Sequence, residues 1–188
     1  MEITQEQEKK LDELSEYIKK WNGLNLIGKS TEEDIWGWHI KEGLSIIEDV
    51  NKEEEIVDFG AGSGVIGLTL AILGCKKVKL LERSQTKLNF LKTTKHLANC
   101  EIVDGHKHLD KNQNRTFVIR GVNSINSILG LLCGYATKFI FFKNLAIKRE
   151  IDEARTEHNF RYESYQREGN APGKIVFIEL KKKQTEIE

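Results

Sequence analysis

The sequence predicts an α/β fold in which a mainly parallel, seven-stranded sheet carries helices on both faces behind an N-terminal helical extension. Three observations predict it. From residue 56 onward, short apolar strands alternate with amphipathic helical segments, the pattern of βαβ units. A glycine-rich string from Gly60 to Gly67 joins the first of those strands to the first of those helices. The last two strands, about 160–167 and 174–180, flank Glu168-Gly169-Asn170-Ala171-Pro172-Gly173, so the sheet closes in a hairpin. The 188 residues fit one domain of ordinary size, with a helical cap over 1–50 and a core over 55–188.

In chain order, Leu11, Leu14 and Ile18 recur at helical spacing among Glu and Lys, which predicts an amphipathic helix over 5–20. Gly23 punctuates its end. Ser30-Thr31-Glu32-Glu33 reads as a capping box that opens a second helix, with Ile35, Trp36, His39, Ile40, Leu44 and Ile47 along one face. Strands are expected at 56–59, 77–82, 101–103, 116–119 and 138–142. Helices are expected from the glycine string to about Leu73, and over 84–98, 123–133 and 146–157.

Hydrophobic residues make up 39% and charged residues 31%, a balance that sustains a real core. No apolar run approaches the roughly 18–20 residues that span a bilayer. The first ten residues are polar and lack the apolar stretch of a secretory signal. Cys75, Cys100 and Cys133 are odd in number and far apart, so neither a disulfide framework nor a zinc site is expected, and the setting is read as cytoplasmic. The net charge of zero hides an asymmetry. Residues 1–55 carry 15 acidic and 7 basic side chains, whereas 56–188 carry 14 and 22. A basic half suits a phosphate backbone, although solvated faces explain such a bias equally well.

The glycine string carries the chemistry. Gly62-Ser63-Gly64-Val65-Ile66-Gly67 matches G-x-G-x-x-G, which by itself suggests a dinucleotide. The wider string, Asp58-x-Gly60-Ala61-Gly62-x-Gly64, points elsewhere. An acid just before the turn repels a pyrophosphate at the helix N-terminus, whereas S-adenosylmethionine has a cationic sulfur, an ammonium group and no phosphate. Asp58 is suited to position that ammonium, and the glycines let the backbone pass close beneath the cofactor. Glu82, at the end of the second strand, is placed to accept hydrogen bonds from ribose hydroxyls, with Arg83 beside it also expected at the cofactor; the alternative is a surface acid capping the next helix, which Arg83 and Ser84 could do themselves. After the fourth strand stands Ile119-Arg120-Gly121-Val122-Asn123. This is neither the Asn/Asp-Pro-Pro-aromatic turn that serves exocyclic amines nor the Pro-Cys nucleophile that serves pyrimidine carbon-5. The expected target is therefore an atom already nucleophilic, such as guanine N7, for which positioning and exclusion of water suffice.

These segments resemble the bacterial ribosomal RNA small subunit methyltransferase G family, also called glucose-inhibited division protein B. Lys20-Trp21-Asn22-Gly23-Leu24-Asn25-Leu26 resembles the family's "KWN…NL", and Trp38 to Leu44 resembles its "RHILDSL". Asp58 to Gly67 resembles "DVGSGAGFPG", and Leu80 to Leu91 resembles "LLDSxxKRxxFL". Arg120 falls on the arginine of "SRA", and Phe142-Lys143-Asn144 stands where "LKG" would be. The resemblance covers nearly the whole chain. It implies a Rossmann-like class I S-adenosylmethionine-dependent methyltransferase that modifies guanine N7 in 16S ribosomal RNA, on the RNA or the small ribosomal subunit.

Carried over residue by residue, the resemblance places Gly60 and Val65 along the cofactor, Lys107 and His108 at its adenine, and Arg120 beside both cofactor and target base. Lys143 would contact RNA or base. His39, Trp21 and Asn25 would form the N-terminal wall. The chain departs from the family's motifs at Trp38, Glu42, Ile66, His106 and Gly121. Other roles remain open on residues alone. His39 reads equally as a packed core histidine, Arg120 as a partner for an acid, and Lys181-Lys182-Lys183 as a solvated tail. His106 and His108 lack a third ligand nearby, so no metal is expected. A monomer is expected. Three rival functions are a methyltransferase of small molecules or proteins, which needs an enclosed apolar pocket, a non-catalytic binder that keeps the fold, and a dinucleotide enzyme.

Overall fold

The computed structural model describes residues 2–105, 109–111, 114–167 and 172–181. Its strands are β1 Glu55–Phe59, β2 Lys77–Glu82, β3 Glu101–Asp104, β4 Arg115–Arg120, β5 Lys138–Lys143, β6 Phe160–Gln166 and β7 Lys174–Leu180. They form a seven-stranded sheet in the order β3-β2-β1-β4-β5-β7-β6. Strands β1 to β5 run parallel, and β7 pairs antiparallel with both β5 and β6. Strand order reverses between β1 and β4, which opens a crevice at the carboxyl edge. Register brings the important ends together there: Phe59 lies beside Leu81 and Ile119, and Arg120 beside Phe142.

The helices are α1 Gln5–Trp21, α2 Lys41–Leu44, α3 Val65–Ile72, α4 Gln85–Thr93, α5 Ile125–Leu132 and α6 Ile147–Arg155. Side-chain alternation along the strands builds two cores. Ile56, Leu80, Val118 and Ile140 pack with α1, α3 and α4, while Val57, Leu81, Phe117 and Phe141 pack with α5 and α6. By the same period of two, Asp58, Glu82, Arg120 and Phe142 belong to the face that the N-terminal cap covers. The cap therefore meets the carboxyl-edge residues on one side of the sheet.

Helix α1 buries Leu11, Leu14 and Ile18, each worth about 1.5–3 kcal/mol relative to exposure. Thr4 and Gln7 form a capping box at its start, and Gln7 Nε2 also donates to the Ile72 carbonyl at 3.3 Å, docking α1 on α3. Tyr17 donates to Thr93 Oγ1 at 2.9 Å and Trp36 Nε1 to Asp12 at 2.9 Å.

The cap departs from the sequence expectation in three places. The left-handed residue closing the turn after α1 is Asn25, at φ 56°, not Gly23. Ser30 caps nothing: Lys29–Asp34 is a 3-10 turn, because the Thr31 amide and hydroxyl both donate to the Gly28 carbonyl. The capping falls instead to Asp34, which accepts the Gly37 amide at 2.8 Å. The expected second helix is a π-helical turn, Trp36–Ile40, followed by α2, with the Lys41 amide reaching back to the Trp36 carbonyl. The expected face is buried at Ile35, His39, Ile40 and Ile47, while Trp36 and Leu44 are partly buried. Helix α4 is also shorter than 84–98, tightening to a 3-10 turn at Thr94–His96. Among the described residues, no helix is long and apolar enough to cross a membrane.

Candidate active site

A cleft of about 1010 Å³ opens at the strand-order switch. Its floor is the turn after β1, its sides are the ends of β2 and β4, and its outer wall is the loop Asn25–Lys29 with His39. Gly60 and Gly62 adopt left-handed φ angles of 71° and 58°, which a β-carbon resists, and this folds the turn flat under the cleft.

Most amides of this turn are used internally. Gly60 and Ala61 both donate to the Leu81 carbonyl at 2.9 Å, and Gly64 donates to the Ala61 carbonyl at 2.7 Å. Gly62 donates to Glu82 Oε2 at 3.0 Å and Gly67 to Asp58 Oδ2 at 2.9 Å. A pyrophosphate would need such donors free. This turn fits a nucleoside without phosphate.

Asp58 is buried and ties the end of β1 to the first turn of α3. Burial pushes its carboxyl up to about 6, against the pull of the Gly67 amide and the Arg120 charge, with the Glu82 charge adding to the rise. Burial also acts to raise Glu82, but the Ser84, Arg83 and Gly62 amides and the Lys87 charge outweigh it. Glu82 therefore titrates below the usual carboxylate range. The two acids thus differ: Glu82 is a firmly ionised acceptor at the rim, and Asp58 a poorly solvated one beneath it.

Arg120, at the end of β4, lines the cleft. Its Nη1 donates to His39 Nδ1 at 2.6 Å and to Glu42 Oε2 at 2.7 Å. A guanidinium has donors only, so His39 Nδ1 must accept and its proton lies on Nε2. That nitrogen sits 2.8 Å from Thr31 Oγ1, whose own proton goes to the Gly28 carbonyl. Burial first, and the Arg120 charge second, hold His39 down to about 3, although Asp34 pulls it upward. It is neutral, and both ring nitrogens are engaged. Glu42, almost fully buried, also accepts from Arg167 Nη1 through its other oxygen.

The residues suit S-adenosylmethionine: Glu82 lies at ribose reach of the turn, the turn offers no phosphate cradle, and the cleft is lined by both acids and cations. The chain matches the family described as rRNA small subunit methyltransferase G over residues 7–171. It belongs to that family. Relatives bearing the name Ribosomal RNA small subunit methyltransferase G include those of Rickettsia africae, 30% identical over 95% of this chain and 96% of its own, and Rickettsia typhi, 31% identical with the same coverage. Among solved structures, the chain is similar to magnesium protoporphyrin IX methyltransferase of Synechocystis with bound SAH. That match has a TM-score of 0.64 at 12% identity, covering 92% of this chain and 99% of that one. It is also similar to the 23S rRNA methyltransferase ErmE, with a TM-score of 0.57 at 16% identity over 77% and 68%. At these identities the likeness concerns the fold, a class I S-adenosylmethionine-dependent methyltransferase.

Within that family fold, the structure brings Asn25, His39, Asp58, Gly60, Ala61, Gly62, Glu82, Arg83 and Arg120 together around one cleft. Val65 is buried beneath the turn, and Gly64 precedes it as the left-handed start of α3. Trp21 stands partly exposed at the end of α1 against Tyr17. The Lys143 ammonium is turned to the Asn123 carbonyl at 2.7 Å and to Glu150 at 2.8 Å. Lys107 and His108, like His106, Lys182, Lys183 and the loop 168–171, lie outside the described residues. Among the described residues no group of three metal-ligating side chains occurs. Sequence reading missed Arg167 and the bridging role of Glu42. The available signal was an acid, Glu42, on the apolar face of a helix, where it requires a buried cation.

Proposed function

We propose that this chain transfers a methyl group from S-adenosylmethionine to N7 of a guanine in 16S ribosomal RNA. The observation that carries the reading is the cleft itself, in a chain of this family: a turn whose glycine amides are spent internally, with Arg120 fixed at the mouth. The cofactor, when bound, supplies a methyl group on a sulfonium. Glu82 would accept the ribose hydroxyls, the Gly60–Gly62 backbone would support the nucleoside, and Asp58 would offer negative charge to the ammonium end.

The remaining residues orient and exclude. Among the described residues, Arg120 spends only Nη1, on His39 and Glu42, leaving Nε and Nη2 as donors for a carbonyl such as guanine O6. His39 is a poor general base, because Arg120 occupies its acceptor nitrogen and burial opposes its charge. A target without a proton suits this arrangement, and guanine N7 is such a target. The base must be unstacked to reach the cleft. Lys143 steadies the Asn123 loop rather than the base in this state, and Trp21 and Asn25 border the RNA side. We read the enzyme as a cytoplasmic monomer, with cap and core acting as one unit.

The test is methyl transfer from labelled S-adenosylmethionine to small ribosomal subunits that lack the modification, with naked 16S RNA and transfer RNA alongside. N7-methylguanosine in 16S RNA alone is the expected product. Cofactor binding without transfer to any ribosomal substrate overturns the assignment.

A further inference from the structure

We infer that Arg167, on the C-terminal hairpin, is a positioning residue for the methyl-transfer reaction, acting through Glu42 to fix the guanidinium of Arg120. The inference rests on the function proposed above and adds to it a residue from the far end of the chain.

Glu42 is 1% exposed, and both of its oxygens are used, Oε2 by Arg120 and Oε1 by Arg167. A buried carboxylate facing two arginines tolerates the loss of either one poorly, because the remaining pair must then share a charge arrangement built for three. Arg167 is itself held on four sides. Its Nη2 and Nε donate to the Lys143 carbonyl at 2.9 and 3.3 Å, and its guanidinium lies over the Phe142 ring at 5.9 Å. Its amide donates to the Gly173 carbonyl at 3.0 Å. Phe142 is also the register neighbour of Arg120, so both arginines approach Glu42 from adjacent parts of one sheet edge.

Gly173 supplies an independent observation. A β-carbon there would lie 2.2 Å from the Lys143 carbonyl oxygen and 2.6 Å from Arg167 Nε. The hairpin leaves its space at this residue to the Arg167 guanidinium. The consequence falls on Arg120. With Arg167 as the second cation on Glu42, a single Arg120 nitrogen suffices to complete the bridge, and its Nε and Nη2 stay available at the cleft. Without Arg167, the Arg120 fork is drawn onto Glu42 and away from the cleft. Placement errors of about 1 Å reduce rates by up to about a hundredfold, so the effect belongs in kcat.

The experiment uses full-length protein and the variants Arg167→Met, Arg167→Lys, Arg120→Lys and the Arg120/Arg167 double variant. Transfer to unmodified small subunits should fall about ten- to a hundredfold in kcat for Arg167→Met. S-adenosylmethionine Kd should stay within about twofold, and Arg167→Lys should recover part of the rate. In the double variant the Arg167 change should add nothing to the loss from Arg120→Lys, since residues acting through one another are non-additive. A readout without substrate or cofactor is the Arg120 guanidinium nitrogen resonance, assigned by its disappearance in Arg120→Lys. It should show slowed rotation in the wild type, and a changed shift with rotation slowed further in Arg167→Met as the fork moves onto both oxygens of Glu42. Additive losses, or an unchanged Arg120 resonance, overturn the positioning role. If the wild type modifies no ribosomal RNA, the functional reading fails, and the resonance still decides the coupling.

Discussion

His39 and Asp58 have ordinary side chains in extraordinary surroundings, and their displacements run in opposite directions with pH. The folded His39 titrates near 3 against an ordinary 6.5, so between those values the unfolded chain binds a proton that the folded one refuses. Its contribution to stability is complete above 6.5 and lost as pH falls, on the order of 2 kcal/mol by pH 5. Asp58, raised from 3.8 to about 6, does the reverse. Between those values the folded chain holds a proton that the unfolded one lacks, and stability is lost as pH rises through 6. In His39→Asn only the Asp58 effect remains. Its melting temperature should therefore rise between pH 7.5 and 5, where that of the wild type falls, as scanning calorimetry would show; a parallel fall contradicts the neutral, Arg120-bonded histidine. Asp58→Asn keeps an acceptor for the Gly67 amide and removes a buried charge. Its Tm at pH 8 should be no lower than the wild type's, while S-adenosylmethionine binding by calorimetry weakens at least about tenfold.

Among the elements, the packing of α3 on β1 and β2 leaves no room for a β-carbon at Gly67. A β-carbon at Gly67 would stand 2.4 Å from Leu80 Cδ2 and 3.1 Å from Asp58 Oδ2, and Leu80 is fully buried with nowhere to turn. Gly67→Ala should lower stability by about 1–3 kcal/mol, read as a reduced urea midpoint, and loosen the turn that Asp58 anchors. An unchanged midpoint would mean that α3 slides freely on β2. The same element shows how far sequence reading reached. The glycine string, the acid before it and the strand either side were legible because turn chemistry and period-two burial are local. The π-helical turn at Trp36–Ile40 was not legible. Its residues have helical spacing, and only the Lys41 amide reaching back to the Trp36 carbonyl distinguishes it from an α-helix.

Across the whole molecule, charge is sorted by neighbourhood more than by position in the chain. Lys29, Arg83 and Lys87 line the cleft, and among the described residues none of them forms an ion pair. On the far side Lys143, Lys148 and Arg149 are matched by Glu150, Asp152 and Glu153. An RNA backbone should therefore lie over the α4 side of the cleft. Replacing Lys29 and Lys87 with Gln should lower the slope of log affinity for small-subunit RNA against log salt by about 2, whereas replacing Lys148 and Arg149 should leave it nearly unchanged. Equal slopes for both pairs would place the RNA elsewhere.

Sequence alone determined the strands, their alternating faces, the glycine turn and the cofactor class, since each depends on residues within a few positions of one another. Family membership followed from the same segments. Tertiary structure alone decided what the polar residues do. Arg120 and His39 are 81 residues apart, and Glu42 and Arg167 are 125 apart, yet each pair shares a hydrogen bond. No periodicity records such pairs. They exist because a buried carboxylate must find its cations wherever the sheet brings them, and the register of β4, β5 and the final hairpin brings two arginines to Glu42.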